Sequence, residues 1–98
     1  MSKELLQTGQ AGTIESNDIM VTVAPAINGA GIKIELVSPV LKQYGRQMKS
    51  VIEETLKQRG VIDAMVHAND KGALDCTIRA RVEAATDRAL AATGGLKL

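Results

Sequence analysis

A chain of 98 residues holds one domain with a modest core, able to bury roughly two-thirds of the surface its unfolded form exposes, and this excludes a large internal active site. Lys and Arg total 12 against 11 Asp and Glu, so the net charge of +1 leaves no electrostatic footprint for nucleic acid or an anionic membrane surface. Tyr44 is the single aromatic residue and Cys76 the single cysteine, which excludes base-stacking platforms and an intramolecular disulfide.

Taken in chain order, residues 1–9 show no clear pattern and read as frayed or extended and flexible. Met1 to Gln10 lacks the apolar run of a signal peptide, no window approaches a membrane span, and Ser2 stands where myristoylation needs glycine. A cytoplasmic protein is the expectation. Gln10 to Glu15 reads as a short strand. Ile19-Met20-Val21-Thr22-Val23-Ala24 is strongly β-prone and ends at Pro25. Ser16-Asn17 lies between these runs as a two-residue hairpin turn, because Asn tolerates the positive φ that a tight turn requires. Asn28-Gly29 marks the next turn. Ile32, Ile34 and Leu36 then alternate with Lys33 and Glu35, the pattern of a half-buried strand with one wet face. Residues 10–37 are thus expected to form a three-stranded antiparallel meander.

Ser38-Pro39 opens a helix, with Ser38 as cap and Pro39 where its missing N–H is not needed. Val40, Leu41, Tyr44, Met48, Val51, Ile52, Thr55 and Leu56 trace one apolar stripe at helical spacing. The stripe ends in Arg59-Gly60, a cationic last turn followed by a C′ glycine. Residues 61–68 read as another strand, with Ile62, Ala64, Val66 and Ala68 on one face, and residues 69–72 as a turn. Residues 73–92 read as a second helix buried along Leu74, Ile78, Val82, Ala85 and Ala89, although Cys76 to Val82 also alternates as a strand would. Gly94-Gly95 ends it, and residues 94–98 are expected to be flexible. The predicted fold class is α+β: a small, mainly antiparallel sheet in the order β-β-β-α-β-α, with two helices packed on one face. Residues 1–98 form a single domain.

Catalytic groups do not converge along this chain. His67 stands alone at a strand end and reads as a partly exposed structural residue rather than a general base. It has no partner at metal-ligand spacing, so no metal site is expected. Cys76, in the first turn of a helix, is either a thiol of lowered pKa or, more commonly for such a residue, core. Asp70-Lys71-Gly72 lacks the glycine spacing of a nucleotide loop and reads as a turn, yet the helix N-terminus and Lys71 are placed to orient the phosphates of an attached group. Ser16, at an exposed turn, is a poor nucleophile but a good anchor.

Gly12-Thr13-Ile14-Glu15-Ser16-Asn17-Asp18, Val23-Ala24-Pro25, Asp70 to Cys76 and Arg79-Ala80-Arg81 together resemble the acyl carrier (gamma) subunit of bacterial citrate lyase over residues 10–90. Asn17 stands where relatives often have Gly or Ser. The resemblance implies a non-catalytic carrier with Ser16 as the covalent attachment point of 2′-(5″-phosphoribosyl)-3′-dephospho-coenzyme A. It implies the citrate lyase alpha and beta subunits and a prosthetic-group-attaching enzyme as partners, with no nucleic acid and no membrane. The alpha subunit would exchange acetyl for citryl on the carrier, and the beta subunit would cleave citryl to oxaloacetate. Glu15 and Asp18 flank the attachment point. They either repel the arm's phosphates or mark the serine for the attaching enzyme. Two alternatives stand beside this reading: the carrier subunit of malonate decarboxylase, and a cofactor-free α+β interaction module.

Overall fold

The computed structural model describes residues 4–90. It contains β1 (Gly9–Ala11), β2 (Ile19–Ala24), β3 (Ile32–Val37), α1 (Leu41–Gln58), β4 (Ala64–Asp70) and α2 (Asp75–Leu90). The element order and the α+β class are those read from the sequence. The end of the second helix at Gly94-Gly95, and the C-terminal residues 94–98, lie outside the described residues.

The strands do not form the expected meander. Their spatial order is β1-β2-β4-β3, with β4 inserted between β2 and β3. β1 and β4 each pair antiparallel with β2, whereas β3 pairs parallel with β4. The physical reason is α1. A helix between two strands carries the chain back to the end it left, so β3 and β4 run the same way. β4 then takes the central position because Ala64, Val66 and Ala68 all bury their side chains. Ile32 and Ile34 of β3 are only half-buried, and Lys33 and Glu35 keep that strand at an edge.

Both helices cover one face of the sheet. α2 packs on β1 and β2, α1 packs on β3, and the helices pack on each other. Ile19, Val21, Val23, Ile52, Leu56, Val66, Ile78 and Val82 form the centre of the core. At the amino-terminal side, Leu5 is buried, and the Leu6 and Gln7 N–H groups both donate to the Ala89 carbonyl.

Element ends depart from the sequence reading at several points. β1 stops at Ala11 instead of running to Glu15, because Gly12 has φ of 99° and a Cβ there would lie 1.8 Å from the Ile19 carbonyl oxygen. Residues 12–18 therefore bridge β1 and β2, and the two-residue hairpin is replaced by a longer loop. α1 begins at Leu41, after a turn in which the Val40 N–H donates to Ser38 Oγ at 3.1 Å. Its other end matches the expectation: Gly60 has φ of 83°, and the Gly60 and Val61 N–H groups donate to Lys57 and Leu56 carbonyls, a Schellman closure. β4 runs to Asp70, so Asn69 and Asp70 belong to the strand and not to the turn.

Three of the stripe residues face water. Leu41 and Tyr44 in α1 are exposed, and Leu74, which precedes α2, is 72% exposed. Ile62 is also exposed, and Val61 is buried instead. Residues 75–90 are helical, which settles the strand alternative for Cys76 to Val82.

Candidate functional site

Ser16 sits at the centre of a β-turn. The Asp18 N–H donates to the Glu15 carbonyl at 3.1 Å, and Asn17, the third residue of the turn, has φ of 68°. A positive φ at that position is what a type II turn demands, and Asn is among the few residues that accept it. The loop is not free to wander. The Asn17 N–H donates to the Lys71 carbonyl and the Lys71 N–H donates to the Asp18 carbonyl, each at 2.8 Å. These two bonds extend the β2–β4 ladder by one step beyond the Ile19–Asp70 pair.

The side chains of the loop divide by role. Thr13 Oγ1 donates to Asp18 Oδ2 at 2.7 Å and accepts the Glu15 N–H at 3.2 Å. Asp18 also receives the Ile19 N–H at 2.7 Å. Arg81, from α2, grips the same carboxylate with two bonds, Nε to Oδ1 at 3.0 Å and Nη2 to Oδ2 at 2.8 Å. A bidentate guanidinium fixes orientation as well as charge. Arg81, then the Thr13 hydroxyl and the Ile19 N–H, hold the Asp18 carboxyl well below the usual carboxylate range, and Asp18 in turn raises Arg81. None of these bonds uses the Ser16 hydroxyl, and Ser16, Glu15 and Asn17 are exposed. Glu15 and Asp18, equivalent in sequence, are thus unlike in structure: one is a solvent charge, the other a structural clasp.

Beside Ser16 lies a shallow depression bounded by Ile14, Val37, Ser38, Pro39 and Lys71. Asp70 closes its inner end. The Asp70 carboxylate accepts the Ser38 hydroxyl at 2.8 Å and the Ala73 N–H at 2.9 Å, so the residue that ends β4 also anchors the turn before α1. Lys71 is exposed, and among the described residues it enters no salt bridge.

His67 and Cys76 lie apart from this end's clasp. His67 is on the open face of the sheet, with Nε2 3.1 Å from Glu35 Oε1. Cys76 is exposed on α2 and is not part of the core. Among the described residues, no three His, Cys, Asp or Glu side chains gather as a metal site would require. No helix among them is long and apolar enough to cross a membrane. The sequence reading missed the clasp. Arg81 and Thr13 both stood within the matching motifs, but nothing local says that they meet at Asp18.

Comparison with known proteins places this geometry. The family model described as Malonate decarboxylase delta subunit (MdcD) matches residues 6–89. The citrate lyase acyl carrier protein of Streptococcus uberis is 57% identical over 86 residues, covering 88% of this chain and 83% of that one. This chain belongs to the citrate lyase acyl carrier protein family. The family's members from Streptococcus mutans and Lacticaseibacillus casei are 56% and 52% identical over the same shares of both chains. The chain is therefore a carrier and not a catalytic subunit. Its fold is that of a chain in the crystal structure of a Pseudomonas malonate decarboxylase hetero-tetramer in complex with malonate, with a TM-score of 0.71 at 17% identity over 88% of this chain and 87% of that one. At that identity the likeness concerns the fold alone.

Proposed function

We propose that this chain is the acyl carrier subunit of a citrate lyase and that Ser16 is where its prosthetic arm is fastened. The chain carries acetyl and citryl groups between transferase (alpha) and lyase (beta) subunits as citrate is cleaved to acetate and oxaloacetate. The arm, 2′-(5″-phosphoribosyl)-3′-dephospho-coenzyme A, supplies a terminal thiol and a reach that the domain itself lacks. One observation carries the assignment: in a chain of this family, the loop is held rigidly by Asp18, Arg81 and Lys71 while the Ser16 hydroxyl is left exposed and, among the described residues, without a hydrogen-bond partner.

The residues present fit a phosphodiester. Ser16 Oγ offers an accessible hydroxyl on a fixed backbone, so a modifying enzyme meets one conformation and not an ensemble. Attachment exchanges the serine O–H for an Oγ–P bond, with the proton passing to solvent and a phosphate-class leaving group departing from an activated donor. Arg81 offsets the negative charge of Asp18, so only Glu15 opposes an anionic group at the turn. Glu15 is thereby the better placed of the two acidic residues to mark the serine for the attaching enzyme. Tethering turns each encounter with a partner active site into an effectively intramolecular event. The work of such a subunit is cytoplasmic.

A malonate decarboxylase carrier is the second reading, favoured by the description of the matching family model and by the fold neighbour. Identities above half with citrate lyase carriers support the first. Ser16→Ala tests the site. Incubated with the attaching enzyme and donor, the natural chain gains the mass of the arm and the variant does not, with unchanged circular dichroism. A reconstituted complex of the variant that still cleaves citrate would overturn the assignment, and malonate turnover by the natural complex would select the second reading.

A further inference from the structure

We infer that the arm, when idle, docks in the depression beside its own attachment point, with Lys71 paired to the phosphodiester on Ser16 and Ile14, Val37 and Pro39 beneath its less polar part. This rests on Ser16 carrying the arm. Ile14 is 59% exposed and Val37 65% exposed, and both border the same hollow as Ser16 and Lys71. These are apolar surfaces that the fold leaves uncovered next to the exposed Ser16 hydroxyl.

The charges around the hollow favour docking. Asp18 does not line the hollow, and its charge is already matched by Arg81. The Asp70 carboxylate is turned inward to Ser38 and Ala73, in a residue only 1% exposed. Glu15 is exposed and negative, and Lys71 is exposed and positive without a carboxylate partner among the described residues. The backbone bonds between Asn17, Asp18 and Lys71 hold the lysine beside the serine turn. An ammonium on a long flexible stem is suited to a phosphate whose exact position varies. The contact is weak by design of its exposure: a surface ion pair and a partly covered apolar ledge give an arm that is docked and released on comparable footing. Such an arm is withheld from wandering between deliveries yet is easily drawn away by a partner active site.

The test uses the full-length chain with its arm, the loading of Ser16 verified by intact mass and peptide mapping. Methyl-resolved NMR should show nuclear Overhauser contacts from arm protons to the Val37 methyl groups, because Val37 is remote from Ser16 in sequence and borders the same hollow. Lys71→Glu should weaken those contacts by about threefold, the scale of one exposed ion pair, as should high salt. A loaded Ser16 whose arm never contacts Val37 overturns the docking and leaves the attachment intact. Contacts undiminished by Lys71→Glu overturn the lysine's part in it. An unmodified Ser16 in chain treated with the attaching enzyme and donor overturns the attachment itself, and the docking with it.

Discussion

Asp18 receives the Thr13 hydroxyl, the Ile19 N–H and two bonds from Arg81, an element 63 residues away in the chain. A carboxyl whose folded pKa lies below its ordinary value of 3.8 stabilises the fold above that value, and the contribution is lost as pH falls toward the depressed folded pKa. Asp18→Asn removes that dependence. Urea unfolding of the natural chain should therefore show an advantage over Asp18→Asn at neutral pH that shrinks progressively below about pH 4, where the unfolded carboxyl binds its proton. An advantage constant down to strong acid would show that the clasp owes nothing to charge. Glu15 makes no such bond, so Glu15→Gln should leave the unfolding midpoint unmoved while slowing attachment, if that residue marks the serine. Ser16 and the left-handed Asn17 were legible because turn chemistry is written in adjacent residues. The division of labour between Glu15 and Asp18 was not, because Arg81 arrives from another element.

Among the elements, α1 was the most legible, since its apolar stripe and its Gly60 closure are both local signals. The stripe nevertheless ran too far. Tyr44 lies not in the core but in a surface groove that it lines with Leu74, from the stripe read for the second helix, beside Val40 and the buried Met48. Periodicity gives the direction in which a side chain points, not where the layer opposite it ends. β1 was placed but drawn too long, because propensity does not register that Gly12 must leave the strand. Gly9, in the same short strand, shows how closely that edge is pressed onto α2: a Cβ there would lie 2.1 Å from the Ala85 carbonyl oxygen and 2.6 Å from the Ala89 nitrogen. Since both obstacles are backbone atoms, Gly9→Ala must push β1 away from the helix. A loss of about 1–3 kcal/mol, the usual range for overpacking, is expected in urea unfolding. An unchanged midpoint would show that the edge strand shifts freely.

At the scale of the whole molecule, β4 is the organising strand. It is bonded on both sides, by β2 antiparallel and by β3 in parallel, and its inner side chains, Ala64, Val66 and Ala68, are buried in the core. β1 is three residues long and bonded on one side only. Native-state hydrogen exchange should therefore rank β4 amides slowest and those of β1 fastest among the strands, and equal protection of the two would contradict this hierarchy. The Ser16 loop hangs on the β2–β4 pair, so the proposed attachment point is fixed beside the strand that is bonded on both sides. The sequence by itself determined the number, order and type of the elements, and the exposed turn that presents Ser16, because periodicity, capping and turn preference act over a few neighbouring residues. Only the tertiary structure decided that β4 lies between β2 and β3 and that Arg81 closes on Asp18. Those choices are made by competition among segments far apart in the chain, where burial of whole faces outweighs any local preference.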